Sequence, residues 1–152
     1  MKIIFLDIDG VLNHERFYHE VRNTQHRNNN IDPRAAKLII NLCKVTGAKI
    51  VISSSWRFEG FESLTNRLRI AGIKDKYLID ICSIEHPNEF RCGYRGDVIQ
   101  RYIDENNIDN YVIIDDDIDM LEHQKDNFIQ TSRYTGFTKE DLKRAINILN
   151  NN

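Results

Sequence analysis

Short apolar runs alternate along this sequence with longer amphipathic segments, and this alternation constrains the fold more than any other feature. The apolar runs are typical of strands that are buried on both faces of a sheet. Predicted strands cover residues 2–7, 49–52, 77–82, 111–114 and 127–131. Strands joined by helices make right-handed crossovers, so the pattern predicts a three-layer, Rossmann-like α/β fold around a central parallel sheet of about five strands.

The segments between the strands carry helix signals. Asp32 followed by Pro33 is typical of an N-cap and a first helical position, and Gly47 is typical of a helix end. Thr138 with Asp141 resembles a capping box ahead of a terminal helix. Predicted helices cover residues 33–46, 61–71 and 95–106 and a terminal segment that ends at residue 149.

The length of the chain bounds its domain organisation. A chain of 152 residues is long enough to bury one sizeable core, so we expect a single domain over residues 1–152. The polar stretch 13–30 is too long for an ordinary connection, which predicts a small lid or loop insertion at 13–32.

The composition excludes several classes of protein. A hydrophobic fraction of 41% and a charged fraction of 29% are those of a soluble globular protein. The net charge of -2 leaves any polyanion binding to a local patch. The apolar runs are too short for a membrane span and no signal peptide is evident, so we expect a cytoplasmic protein without a membrane partner. The three cysteines form no Cys-x-x-Cys pair, which indicates reduced structural thiols.

Polar residues follow three of the predicted strands, at the point where each strand ends. They are Asp7-Ile8-Asp9-Gly10, Ser53-Ser54-Ser55 and Asp115-Asp116-Asp117. Ligands of open parallel sheets bind outside the carboxyl ends of the strands, so these residues should converge on one pocket. Crowded carboxylates repel one another and call for a cation, and an oxygen-only ligand set favours Mg²⁺. Any one Asp could instead be a cap or turn residue, but the conjunction of the three clusters favours a site for phosphoryl transfer.

At these residues the chain resembles the haloacid-dehalogenase (HAD) superfamily. The stretch Ile3 to Leu12, an apolar strand followed by Asp-Ile-Asp-Gly-Val-Leu, is similar to the first motif of that superfamily. Ile50 to Ser53 is similar to the second motif and Tyr111 to Asp116 to the fourth, in the order that the superfamily has them. More narrowly, Ser53 to Arg57, with other segments, resembles the HAD domain of Swiss Army Knife RNA repair proteins.

The resemblance implies a HAD-like fold and a role for each motif residue. Asp7 would be the nucleophile and a metal ligand, and Asp9 would be the general acid and base and would offer its backbone carbonyl to Mg²⁺. Ser53 would hydrogen-bond the phosphoryl group, with Ser54 and Ser55 as rivals for that task.

The third and fourth motifs complete the implied catalytic and metal residues. Arg95 is the favoured third-motif cation, with the alternatives Lys74, Lys76 and Arg91 left open. Asp116 would be the principal metal ligand of the fourth motif and Asp115 its helper. The spacing of Asp119 from Asp115 fits one variant of the motif, and a helix N-terminal acid is an adequate structural explanation of the same residue.

Three further residues are candidates for substrate binding. Ser54, Trp56 and Arg57 flank the second motif, where Trp56 could stack on a base and Arg57 could clamp a phosphate. A half-buried Trp with an Arg at its rim is the structural alternative. The five histidines show no zinc spacing and most are expected at the surface.

The sequence therefore predicts a Mg²⁺-dependent phosphomonoesterase that acts through an aspartyl-phosphate. Only residues 13–32 and 83–94 have room for insertions, so the cap is minimal and the pocket open, which favours RNA or DNA ends, a nucleotide or a phosphoprotein as the phosphorylated substrate. The alternatives are a catalytically idle nucleic-acid-binding HAD-like domain and a receiver-like signalling domain. Intact Asp7 and Asp9 argue against the first, and the Asp-x-Asp-Gly turn argues against the second.

Overall fold

The computed structural model describes residues 1–24, 31–82 and 94–151 and confirms the predicted α/β fold. The strands are β1 (Lys2–Leu6), β2 (Lys49–Ile52), β3 (Leu78–Ile81), β4 (Asn110–Asp115) and β5 (Phe128–Gln130). The helices are α1 (Glu15–Val21), α2 (Pro33–Thr46), α3 (Phe61–Ile70), α4 (Arg95–Asn106) and α5 (Lys139–Asn151), with 3-10 turns at Ser55–Glu59 and Glu122–Asn127.

All strand pairs in the sheet are parallel, and the strand order is β3-β2-β1-β4-β5. The chain moves outward in one direction from β1 through β2 to β3, and then in the other direction from β4 to β5. The order therefore reverses between β1 and β4, whose carboxyl ends form the crevice where such sheets bind ligands.

The sheet is covered by helices on both faces, which gives the three layers. Ile4 and Leu6 of β1 pack into a core formed with α2, α3 and α5. Ile3 and Phe5 point to the opposite face and pack with α4, where Phe5 meets the Tyr102 ring edge-on at a centroid distance of 5.7 Å. Because both faces of β1 are buried, its sequence is continuously apolar rather than alternating.

The predicted helix ends are confirmed by their hydrogen bonds. The Asp32 side chain accepts a hydrogen bond from the Arg34 backbone N–H, and Gly47 ends α2 in the left-handed conformation with φ of 75°. At α5 the Asp141 carboxylate accepts from the Thr138 N–H at 3.0 Å, and the Asp141 N–H donates to the Thr138 hydroxyl at 3.3 Å. This reciprocal pair is a capping box in which Asp takes the place of Glu.

The segment 13–32 differs from a plain loop because it contains α1. His14 is the N-cap of this helix, and its side chain accepts a hydrogen bond from the Phe17 N–H. Phe17 is 5% exposed and anchors the helix in the core, which the polar composition of the segment concealed. The other candidate insertion falls largely on residues 83–93, which lie outside the described residues, as does Cys92.

Two further findings concern the thiols and the helices. Cys43 and Cys82 are buried free thiols. Within 1–24, 31–82 and 94–151, none of the helices has the length and apolar character needed to cross a bilayer.

Candidate active site

The site lies where the carboxyl ends of β1, β2 and β4 meet. The Asp7 N–H donates to the Ile114 carbonyl at 3.0 Å, and the Ser53 N–H donates to the Leu6 carbonyl at 3.1 Å. These bonds continue the parallel ladders by one residue, so Asp7, Ser53 and Asp115 are fixed side by side at the edge of the sheet.

Three carboxylates converge at this edge. Asp7, Asp115 and Asp116 each offer an oxygen, and these oxygens lie within 4.8 Å of one another. Repulsion between two carboxylates at that distance is about 3 kcal/mol at an effective dielectric constant near 20. The trio is therefore stable only beside positive charge.

Burial shifts the protonation of two members of this trio. Burial raises the pKa of Asp7 above its ordinary value, although Arg95 and a hydrogen bond from Ser54 act in the opposite direction. Burial and the charge of Asp7 raise the pKa of Asp115 to about 8. Such shifts are common where charged groups are held together for a function.

Arg95 is a partly buried cation that lies against the acidic trio. Its Nη1 donates to Asp7 Oδ1 at 2.8 Å and to the Ser53 carbonyl at 3.0 Å, and its Nε lies 3.2 Å from Asp115 Oδ2. Burial lowers the pKa of Arg95, but the charges of Asp7 and Asp115 more than compensate and the pKa is raised. The structure thus brings the favoured third-motif cation onto the predicted nucleophile.

The other residues considered for that cation are placed elsewhere. Lys74 and Lys76 are exposed and precede β3, at the opposite end of the sheet from the acidic trio. Arg91 lies outside the described residues.

Asp119 positions Arg95 through the backbone. Its Oδ2 accepts from the Arg95 N–H at 2.9 Å, and its carbonyl accepts from the Gly96 N–H at 3.1 Å. Asp119 therefore fixes the first turn of α4. Its carboxylate does not belong to the acidic trio, so the helix N-terminal interpretation fits this geometry better than a ligand role.

Gly10 makes the turn after β1 pass close to the acids. Its φ is +69°, and a Cβ built on it would lie 2.5 Å from Asp116 Cγ. The Gly10 carbonyl accepts from the Thr131 hydroxyl at 2.8 Å, which ties the turn to the end of β5. Glycine is required here for both the backbone conformation and the space.

Asp9 lies beside the trio, and its carboxylate is held by two donors. Asn13 Nδ2 donates to Asp9 Oδ1 at 2.6 Å, and Trp56 Nε1 donates to Asp9 Oδ2 at 2.9 Å. Its carboxylate is not part of the acidic trio. This position is compatible with a role in proton transfer.

The three serines after β2 have different environments. Ser53 is fully buried, and its hydroxyl has no hydrogen-bond partner in the part of the chain that the structure describes. The Ser54 hydroxyl donates a hydrogen bond to the Asp7 carboxylate and accepts one from the Trp56 backbone N–H at 3.3 Å. Ser55 is exposed and lines the cavity in front of Asp7.

Trp56 and Arg57 are engaged by protein groups. Besides its bond to Asp9, the Trp56 ring has the Arg67 guanidinium over one face at 4.9 Å. Arg57 donates to the Ser53 carbonyl at 2.6 Å, and burial lowers the pKa of its guanidinium. Both residues donate hydrogen bonds to the serines that follow β2, and neither lines the cavity.

A cavity of about 360 Å³ opens in front of the acids. Its walls include residues that the sequence did not single out as site residues, namely Asn13, His14, Glu15, Tyr18 and Arg133. Arg133 is the most informative of these, since its side chain forms ion pairs with Asp116 and Asp117 and is 67% exposed. No local pattern in the sequence marks Arg133. Asn13 lies four residues after Asp9, and this short spacing was a signal from which their contact could have been predicted.

His14 is buried, unlike the surface position expected for most histidines. Its Nε2 lies 3.0 Å from Asp32 Oδ2, and its Nδ1 lies 3.1 Å from the Tyr134 carbonyl. Asp32 also binds Arg34, which reaches Glu20 on α1. This network fixes α1 against α2 beside the cavity. His19 and His123 are exposed, and His26 and His86 lie outside the described residues.

The sequence model of one protein family, described as the HAD domain in Swiss Army Knife RNA repair proteins, matches residues 3–142. The matched range runs from β1 into α5 and includes every residue of the cavity. Searches among curated proteins and among solved structures give no match.

Proposed function

The chain belongs to the family of HAD domains in Swiss Army Knife RNA repair proteins, and from that premise we propose that it is a Mg²⁺-dependent phosphomonoesterase acting through an aspartyl-phosphate on Asp7. The observation that carries the proposal is the contact of the Asp7 carboxylate with Arg95 on one side and with two further acids within 4.8 Å on the other, at the wall of an open cavity. With Arg95 beside it and a cation held among the three acids, Asp7 would have the charge compensation that attack on an anionic phosphate requires.

The acidic trio fits a hard divalent cation. Its donors are carboxylate oxygens only, which Mg²⁺ prefers, and Arg95 supplies one positive charge beside three carboxylates. Asp7, Asp115 and Asp116 would hold the ion, with the Asp9 backbone carbonyl as the further ligand expected for the family. Bound Mg²⁺ would neutralise charge on the phosphate and on these carboxylates.

The remaining residues have separate tasks in a two-step reaction. Asp7 attacks phosphorus, the bond from phosphorus to the leaving oxygen breaks, and Asp9 gives that oxygen a proton. In the second step Asp9 takes a proton from a water molecule, which attacks the aspartyl-phosphate and releases phosphate. Arg95 balances charge on Asp7 throughout.

The three serines after β2 have different tasks in the proposed reaction. Ser55 faces the cavity and Ser54 orients Asp7. The Ser53 hydroxyl, which is buried and has no hydrogen-bond partner among the described residues, would donate to a phosphoryl oxygen beside Asp7. This arrangement keeps Ser53 as the predicted second-motif hydroxyl and gives its rivals distinct roles.

The substrate class follows from the family and from the shape of the cavity. The matched family occurs in RNA repair proteins, and the cavity walls include the exposed side chains of Tyr18, Asp117 and Arg133. An open site with an aromatic ring and an exposed guanidinium at its edge suits a phosphate at a nucleic-acid end or on a nucleotide, through stacking and charge.

Phosphate release in the presence of Mg²⁺ tests the proposal. The substrates are p-nitrophenyl phosphate, nucleotides and oligonucleotides with a 3′- or 5′-phosphate, assayed with wild type and with Asp7→Asn. We expect turnover by the wild type, its loss with a chelator, and a fall on the order of 10³-fold or more in the variant. The matched control is Asp75→Asn, which removes an exposed Asp paired with Arg69 and should leave turnover unchanged.

Two outcomes would contradict the proposal. Turnover that Asp7→Asn leaves intact would remove Asp7 as nucleophile. Absence of turnover on every ester, together with binding of the oligonucleotides, would support a catalytically idle binding domain instead.

A further inference from the structure

The Asp9 carboxylate is held from two separate parts of the chain. Asn13 lies in the same turn, and Trp56 lies in the 3-10 turn after β2, and each donates to a different oxygen of Asp9. We infer that Trp56 is a positioning residue for Asp9, which it fixes for proton transfer to the leaving group. This inference rests on the proposed function.

Both donors are themselves fixed. Asn13 is 2% exposed, and its Oδ1 accepts from the Gly10 N–H at 3.1 Å, so its amide cannot turn away from Asp9. The Trp56 backbone N–H donates to Ser54, and the indole carries Arg67 over one face. Arg67 is held in turn by Glu59 at 3.1 Å. These contacts hold the indole N–H toward Asp9.

Asp9 needs such support because it is exposed. An exposed Asp side chain samples several rotamers in water, and ordering it costs conformational entropy. With one donor on each oxygen, the plane of the carboxylate is set before a substrate arrives. A proton donor that is held in geometry contributes about 10² to 10⁴-fold in rate, so its loss of orientation is measurable.

The indole cannot replace Asp9 chemically. Trp Nε1–H is a hydrogen-bond donor only, and it neither accepts nor releases a proton near neutral pH. Trp56 must therefore act through Asp9, and one of its ring faces is already covered by Arg67. Its contact geometry thus favours positioning over the base stacking that the sequence suggested.

The test compares two esters in wild type and in Trp56→Phe, which keeps an aromatic ring and removes the N–H. Expulsion of p-nitrophenolate needs little proton donation, whereas expulsion of the alkoxide of glycerol phosphate needs it fully. We expect kcat/KM for glycerol phosphate to fall about 10 to 100-fold and kcat/KM for p-nitrophenyl phosphate to fall less than about threefold. Because the ratio of the two values cancels the concentration of active enzyme, partial misfolding does not alter it.

The hydrolytic step gives a second kinetic readout. Asp9 also activates the water that cleaves the aspartyl-phosphate, so Trp56→Phe should show a burst of p-nitrophenol followed by a slower steady rate. An unchanged ratio of kcat/KM values between the two esters would overturn the positioning role.

A spectroscopic readout tests the contact without activity. The chain has one Trp, so its NMR spectrum has a single indole N–H resonance. Asp9→Asn should move that resonance, whereas the control Asp75→Asn should not. An indole resonance that Asp9→Asn leaves in place would overturn the contact. A wild type that hydrolyses neither these two esters nor any nucleotide or phosphorylated oligonucleotide, but shows the shift, would refute the proposed function, and with it the role of Trp56 in catalysis, while retaining the contact.

Discussion

Gly10→Ala should impair the proposed metal binding and phosphatase activity much more than it lowers the stability of the fold. Gly10 has φ of +69°, in the left-handed region, where an alanine costs about 1 kcal/mol. The added methyl group also enters occupied space, because it would lie 2.5 Å from Asp116 Cγ and 2.7 Å from its Oδ2. The substitution therefore acts on a residue of the acidic trio without removing any charged group.

The size of the expected effect follows from these distances. Relief of a 2.5 Å contact to the ordinary 3.4 Å moves the Asp116 side chain or the turn by about 0.9 Å. Metal–ligand distances tolerate deviations of about 0.2 Å, and a misplacement of about 1 Å in an active site costs on the order of 10²-fold in rate. We expect kcat to fall by about that factor and the Mg²⁺ concentration for half-maximal activity to rise.

Gly47→Ala is the matched control. Gly47 has φ of +75° at the end of α2, and a Cβ there would meet nothing within 4 Å. Both substitutions should lower the free energy of unfolding by about 1 kcal/mol from backbone strain, measured by urea denaturation, with up to about 1–3 kcal/mol more for Gly10→Ala from overpacking. Only Gly10→Ala should lose phosphatase activity. Activity of Gly10→Ala within threefold of Gly47→Ala would refute the close approach of this turn to Asp116.

Three other substitutions test separate features of the structure. Arg133→Ala should tighten Mg²⁺ binding roughly two- to fivefold in titration calorimetry, because the guanidinium and the ion would compete for the Asp116 carboxylate; weaker binding would contradict this competition. Burial raises the pKa of Asp32, but hydrogen bonds from Arg34 outweigh it and the pKa lies below the ordinary 3.8. The ionised form therefore stabilises the fold above pH 3.8, and this contribution is lost as the pH falls through the lowered pKa of the folded state. In denaturation experiments the loss of unfolding free energy in Asp32→Asn should be present at pH 7 and should shrink below pH 3.8. A loss that does not change with pH would argue for a purely structural cap. Thr138→Ala should cost about 1 kcal/mol of unfolding free energy through loss of the α5 cap, with kcat unchanged; equal stability would deny the capping role.

The elements of the fold were predictable because their signals are local. Asp32 and Pro33 mark the start of α2, and Gly47 marks its end. The apolar runs of β1 and β2 mark strands whose two faces are both buried. Helix α1 was missed because its stability depends on the burial of Phe17 and on the N-cap His14, while most of its residues are polar. A helix held by one anchor leaves no periodic pattern to find.

The convergence of the strand ends was predictable for a topological reason. Parallel strands place their carboxyl ends at one edge, so the residues after β1 and β4 were expected on the same side of the sheet once the sheet was inferred. The adjacency of β1 and β4 brings them together. The partners of these residues depend on long-range contacts instead. Trp56 reaches Asp9 across 47 positions in sequence, and Arg133 comes from the segment after β5. No spacing rule connects such pairs.

Charge balance gives a physical reason for the position of Arg133. When ionised, the three acids carry three negative charges, and Arg95 supplies one positive charge. Burial and repulsion leave the pKa of Asp115 raised to about 8, so Arg95 alone does not stabilise all the ionised forms. Arg133 adds positive charge from the exposed side, where its fork engages Asp116 and its neighbour Asp117. Because ion pairs of exposed side chains are weak, under the proposed function Arg133 would be free to turn toward a phosphate in the cavity when Mg²⁺ occupies Asp116.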